Sequence, residues 1–142
     1  LLILDELQEA GDAALEFEYS TIFDEEGRRK VAEEWADIGL RCMDLLGALG
    51  VYPNYEADKV VVEGKNLGSG MYLPSLEART TKTIFSLVRT LRKTGDISSE
   101  QDTSELKKLV RYILSFEDIY EAAVHKNDVN KTRPFMHGGK FF

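Results

Sequence analysis

Cysteine and histidine are both scarce in this chain, and each scarcity removes a class of protein. A single cysteine, Cys42, rules out an internal disulfide framework and a zinc site built on several thiolates. Two histidines, His125 and His137, leave too few imidazoles for a His-ligated zinc enzyme. No apolar run approaches the ~20 residues of a membrane-spanning helix. No basic, apolar, small-residue order marks a signal peptide. These absences point to a reducing, cytoplasmic setting. The 142 residues suit one domain over 1–142, and at this length folding buries ~68–70% of the unfolded surface. The chain opens at Leu1 inside a helical pattern and without methionine, so upstream residues are expected to be missing.

Positive charge is scarce where negative charge gathers. Residues 1–63 carry 16 acids against 5 bases, residues 64–124 carry 8 against 9, and residues 125–142 carry one acid, Asp128, against 4 bases. A chain of net charge -7 is a poor ligand for a nucleic-acid backbone. An acidic front and a basic tail suit a cation held by the former and a small anion held by the latter.

Helical periodicity dominates the rest. Ile3, Leu7, Ala10, Ala14 and Phe17 step by threes and fours, predicting a helix over 1–19. Val31, Trp35, Ile38, Cys42, Leu45 and Leu49 repeat the pattern over about 27–49, with Gly50 as a C-terminal cap and Pro53 as a stop. Residues 51–73 form a long connection, a loop or small hairpin around Val60-Val61-Val62; connections of this length are commonly functional, and a lid or oligomer contact is expected. Pro74 opens a third helix with Leu76, Thr80, Thr83, Leu87 and Leu91 inward and Gly95 at its end. Asp102 and Glu105 resemble a capping box for a fourth helix. Its stripe of Leu106, Leu109, Val110, Ile113, Phe116, Tyr120 and Val124 runs on toward Lys131, and Pro134 bars further propagation. Four helical signals with little strand signal predict an all-α, four-helix bundle-like fold.

Two acidic motifs ride on the first two helices. Glu6 and Glu9 lie about 60° and 120° from the centre of the first apolar stripe, and Glu34 and Asp37 have the same offsets, in the same sense, from the second. Antiparallel pairing through the stripes brings all four carboxylates to one side of the seam. Such a cluster repels itself unless a cation is bound, and all-oxygen ligation favours Mg²⁺, with Mn²⁺ as the alternative. Each motif alone is equally the pattern of a solvated helix face. Lys126, Asn130 and Arg133 share a face if the fourth helix reaches them, and Lys and Arg are phosphate-binding side chains. The following His137-Gly138-Gly139-Lys140 can wrap a ligand with backbone N–H groups, or belong to a frayed basic terminus.

The order Glu6-x-x-Glu9, Glu34-x-x-Asp37, Lys126-x-x-x-Asn130-x-x-Arg133 resembles the all-α nucleoside triphosphate pyrophosphohydrolases, the MazG-like group. Glu34-Trp35-Ala36-Asp37-Ile38 with Leu45-Leu46 is similar to that family's second metal helix, and Asn130 to Pro134 with His137 to Lys140 is similar to its tail. The likeness covers residues 1–50 and 120–142; residues 51–119 match nothing recognisable, and Asp5 stands where the family usually has glutamate. The resemblance implies cleavage of a nucleoside triphosphate between the α and β phosphates to monophosphate and pyrophosphate. It implies metal on Glu6, Glu9, Glu34 and Asp37, and substrate on Lys126, Asn130, Arg133 and His137. Asp5 and the four ligands are the candidates for the general base. It also implies a homo-oligomer, a dimer or tetramer. Two other classes fit the same residues less fully. One is a non-catalytic helical module that binds metal, nucleotide or a partner. The other is a di-iron bundle, which normally uses Glu-x-x-His pairs, and neither histidine follows a glutamate by three.

Overall fold

The computed structural model describes Glu9, Asp12, residues 25–51, Leu67 and residues 73–131, with Leu73 and residues 128–131 described by backbone alone. Four helices lie among them: α1 (Glu25–Ala48), α2 (Leu73–Thr94), α3 (Glu100–Leu114) and α4 (Glu117–Lys131). No strand occurs among the described residues, and the chain is an all-α, bundle-like protein. Glu9 and Asp12 are helical, as expected of residues 1–19; the rest of that predicted helix lies outside the described residues, as does most of the 51–73 connection.

α1 is the central element. It packs along α4 and α3, while among the described helices α2 packs against α3 alone. Val31, Trp35, Ile38 and Cys42 are buried as their spacing predicts. The buried line then passes to Leu46, leaving Leu45 and Leu49 only partly covered. Cys42 is fully enclosed, and burial pushes its thiol up to about 12, so it is no nucleophile at neutral pH. Gly39 faces α3; a Cβ there would stand 3.5 Å from Ile113 and Leu114, so the small residue sets a close helix approach without being forced by sterics. Gly50 and Gly95 take φ of 79° and 73°, the left-handed conformation that ends α1 and α2 at the two predicted caps.

Along α2, Leu76, Thr80, Ile84 and Leu87 are buried, whereas Thr83 is half-buried and Leu91 exposed. Tyr112 ties this helix to α3. The Arg79 guanidinium lies 4.0 Å above its ring, Ser75 Oγ is 2.7 Å from its hydroxyl, and Phe116 meets it edge-on at 5.7 Å.

Two boundaries differ from the sequence-based expectation. α3 begins three residues before the expected box, because Ser99 is its N-cap. Asp102 N–H donates to Ser99 Oγ at 3.2 Å, and that hydroxyl donates to Asp102 Oδ2 at 2.6 Å. The helix expected to run unbroken to Lys131 is two. Ser115 donates its hydroxyl (2.6 Å) and its N–H (3.2 Å) to the Tyr112 carbonyl, closing α3. Phe116 is fully buried and its carbonyl accepts the Tyr120 N–H at 2.8 Å as α4 starts. The break rotates the buried line of α4 onto Ile119 and Ala123, so Tyr120 and Val124, expected inside, are 38% and 45% exposed. Asp118 steadies the new start. Its Oδ1 accepts the Ile119 N–H and its Oδ2 the Leu67 N–H, each at 3.0 Å, fastening the buried Leu67 of the long connection to α4. Burial holds the Asp118 carboxyl above the ordinary aspartate range, against the pull of these bonds and of Arg28.

Candidate functional site: an acidic face closed by Lys126

The site lies where α1, α4 and the helical residue Glu9 meet. Trp35 and Ile38, both fully buried, fix the rotation of α1. With those two inward, Glu34 and Asp37 come out on the rim of the core, one turn apart. Glu9 lies close enough to Glu34 for their charges to interact and for their side chains to hydrogen-bond. The matched offsets call for all four carboxylates on one side; Glu6, the fourth, lies outside the described residues. Lys126 of α4 reaches Asp37, its Nζ 3.0 Å from both carboxylate oxygens, and each side chain of the pair is 28% exposed. Asp37 and Lys126 are 89 residues apart in sequence, and the long packing of α1 against α4 brings them together.

Glu34 bears the electrostatic strain. Its carboxyl is raised above the ordinary 4.5, first by burial, then by the negative charges of Asp37 and Glu9 and the hydrogen bond with Glu9; Lys126 pulls the other way. Its Oε2 is shut off from solvent and has no hydrogen-bond partner. An acid raised by folding favours the protonated form of the native state. Its contribution to stability is therefore fullest below the unfolded value and is lost as pH rises through the folded one. Glu34→Gln, permanently neutral, should match or exceed the parent's melting temperature at pH 7, and the gap should close toward pH 4. Paired thermal melts at the two pH values check this; a gap that widens on acidification contradicts it.

Of the sequence-predicted site residues, Glu9, Glu34, Asp37 and Lys126 are thus brought together. Glu6, Asp5, Arg133 and His137 lie outside the described residues, and Asn130 is placed only as a helical position in the last turn of α4. His125 is exposed. Among the described residues, no three acids, histidines or cysteines converge closely enough to hold a metal ion by themselves. Trp35 is wholly inside the core, with its indole N–H unpaired. Two features were missed from the sequence. The first is that Lys126, expected on phosphate, faces Asp37; its spacing from Asn130 and Arg133 carries no hint of a partner on α1. The second is Asp118, whose role depends on a backbone N–H from a distant loop.

Fold and site together define an all-helical protein with an acidic rim that one lysine closes. No protein-family model matches the chain, and neither the curated proteins nor the solved structures yield a match. Among the described residues no helix is long and apolar enough to cross a membrane.

Proposed function

We propose that this chain is a metal-dependent nucleoside triphosphate pyrophosphohydrolase, releasing monophosphate and pyrophosphate. The observation that supports it most is the juxtaposition of Glu9, Glu34 and Asp37 with Lys126, in which Glu34 keeps a buried oxygen without a partner. The donors fit Mg²⁺ or Mn²⁺ by their chemistry: carboxylates only, from facing helical segments, with one orphaned oxygen that a cation would satisfy. Glu34, Asp37 and Glu9 would hold the ion together with Glu6. When bound, it supplies charge neutralisation on the phosphate oxygens and acidifies water. The protein's residues do the rest. Lys126 and Arg133 take the phosphates, Asn130 and His137 orient phosphate or sugar, and Asp5 or one of the ligand acids takes the proton from the attacking water.

A second reading is a non-catalytic helical module in which Lys126 and Asp37 are a permanent structural ion pair; the 3.0 Å contacts favour it to that extent. Incubating the protein with Mg²⁺ and each common nucleoside triphosphate, and assaying pyrophosphate, separates the two. The first reading requires pyrophosphate from at least one nucleotide, and its absence from all of them leaves only the second.

The proposal extends to a homo-oligomer, dimer or tetramer, in the reducing cytoplasm. Met43, Phe85 and Val124 are 43%, 57% and 45% exposed, apolar surface that a second copy would cover. Light scattering at micromolar concentration should give at least twice the chain mass; a monomer contradicts this part alone.

A further inference from the structure

We propose that the cleft between α2 and α3 binds a small phosphate monoester, with the phosphoryl group at its Arg79 end and the ligand's hydroxyls at its Ser86 end. The cavity holds about 550 Å³, within the ordinary range for a small-molecule site. None of the residues lining it belongs to the acidic face of α1 and α4, so the inference stands apart from the function proposed above.

The order of groups along the cleft follows from the helix register. The link over 95–99 is short, so α2 and α3 run antiparallel. Arg79 above the Tyr112 ring sets one level. One turn further along α2 is Lys82, one turn back along α3 is Lys108, and the two lysines come level on opposite walls. A turn beyond them Ser86 comes level with Glu105, and Gln101 follows at the far end. All of these except Tyr112 line the cavity. Leu87 and Leu109, both buried, form its floor.

Charge selects the ligand. Two ammonium groups on facing walls repel unless an anion lies between them. Glu105 meets Lys108 only at 3.4 Å and in an exposed setting, where an ion pair is weak. Among the described residues Lys82 has no ion pair, and the Arg79 guanidinium has an aromatic face in place of a carboxylate. That guanidinium is held ready, because Ser75 fixes the Tyr112 hydroxyl and Phe116 the ring edge. A guanidinium stacked on a ring keeps its N–H edge open for two phosphate oxygens. Two cations without carboxylate partners suit a dianion better than a singly charged carboxylate. At the other end Ser86, Gln101 and Glu105 offer hydroxyl, amide and carboxylate, which hydrogen-bond to hydroxyl groups. Glu105 also repels a second anion, which directs the phosphoryl group to the Arg79 end.

Amide-resonance titrations of the full chain with inorganic phosphate, ribose 5-phosphate, ribose and acetate, at an ionic strength held constant with chloride, test this. Inorganic phosphate should shift the amides of Lys82 and Lys108. Ribose 5-phosphate should shift those of Ser86 and Gln101 as well and bind about tenfold more tightly, through its added hydrogen bonds. Ribose and acetate should leave all four in place. Lys82→Gln and Arg79→Gln should each weaken ribose 5-phosphate binding about tenfold. Lys93→Gln, the same loss of charge at an exposed α2 position outside the cavity, should not. Melting curves confirm that the variants fold, and Lys82→Gln, which removes an exposed side chain without a partner, carries the test if Arg79→Gln does not. No response to ribose 5-phosphate, an equal response to acetate, or an equal loss in Lys93→Gln overturns the site. Inorganic phosphate binding as tightly as ribose 5-phosphate overturns the assignment to an ester.

Discussion

Mg²⁺ should raise the melting temperature of this protein by roughly 6–10 °C at a hundredfold excess over its dissociation constant, and Glu34→Ala should erase that rise. The magnitude follows from linkage. A ligand that binds only the native state at that excess stabilises it by ~2.7 kcal/mol, and at this chain length each kcal/mol is worth about 3 °C. Glu34 is the right residue to remove because its environment is the least comfortable one on the acidic face. Its carboxyl is pushed up by burial, by Asp37 and by Glu9, and its Oε2 is buried without a partner. Without divalent cation, Glu34→Ala should therefore melt at the same temperature as the parent or higher, since repulsion is relieved. With Mg²⁺ the order should invert. Asp12→Ala, an exposed acid remote from Glu34 in sequence, should respond to Mg²⁺ as the parent does. Scanning calorimetry of the three proteins with and without the ion checks all of this. An equal Mg²⁺ shift in the parent and in Glu34→Ala removes Glu34 from any ion site.

Trp35→Ala should cost about 3–5 kcal/mol of stability, the range for deleting a large core aromatic. Trp35 is the largest fully buried side chain and lies between Glu34 and Asp37 in sequence. Trp35→Phe should cost much less, because the indole N–H makes no hydrogen bond and its loss orphans no acceptor. The Ala variant should also loosen divalent binding although the indole touches no ligand, since the two carboxylates owe their outward direction to the anchored indole. Urea unfolding of both variants, with Mn²⁺ titrations of each, reads the two effects. A Trp35→Ala protein as stable as the parent would contradict the packing described for α1.

Much of this was legible in the sequence, and the exceptions have local causes. The α1 stripe, its glycine cap and the α2 cap at Gly95 could be read because periodicity and left-handed glycine positions are properties of short windows. The matched offsets single out Glu9 with Glu34, while Glu6 and the apolar stripe of the first helix lie outside the described residues. The break at Ser115 could not, since Leu109, Ile113, Phe116, Tyr120 and Val124 keep helical spacing straight through it. Only the hydrogen bonds of Ser115 to the Tyr112 carbonyl and of Asp118 to Leu67 reveal that the chain restarts. That restart sets the rotation of α4, and with it the direction of Lys126. The Lys126–Asp37 contact depends on two helices meeting in one register across 89 residues, which no local pattern encodes. The start of α3 at Ser99 was missed because Asp102 with Glu105 fits the capping-box pattern, and the Ser99 hydroxyl that accepts the Asp102 N–H shows the true start.

Phosphorus-31 resonance of a nucleoside triphosphate turning over with Mg²⁺ and the unmodified protein tests the central claim most directly, because it shows which bond breaks. The account predicts monophosphate and pyrophosphate growing together from the α–β cleavage, with no signal change in the presence of Glu34→Ala. Diphosphate and inorganic phosphate as the products, or unchanged turnover by Glu34→Ala, would contradict it.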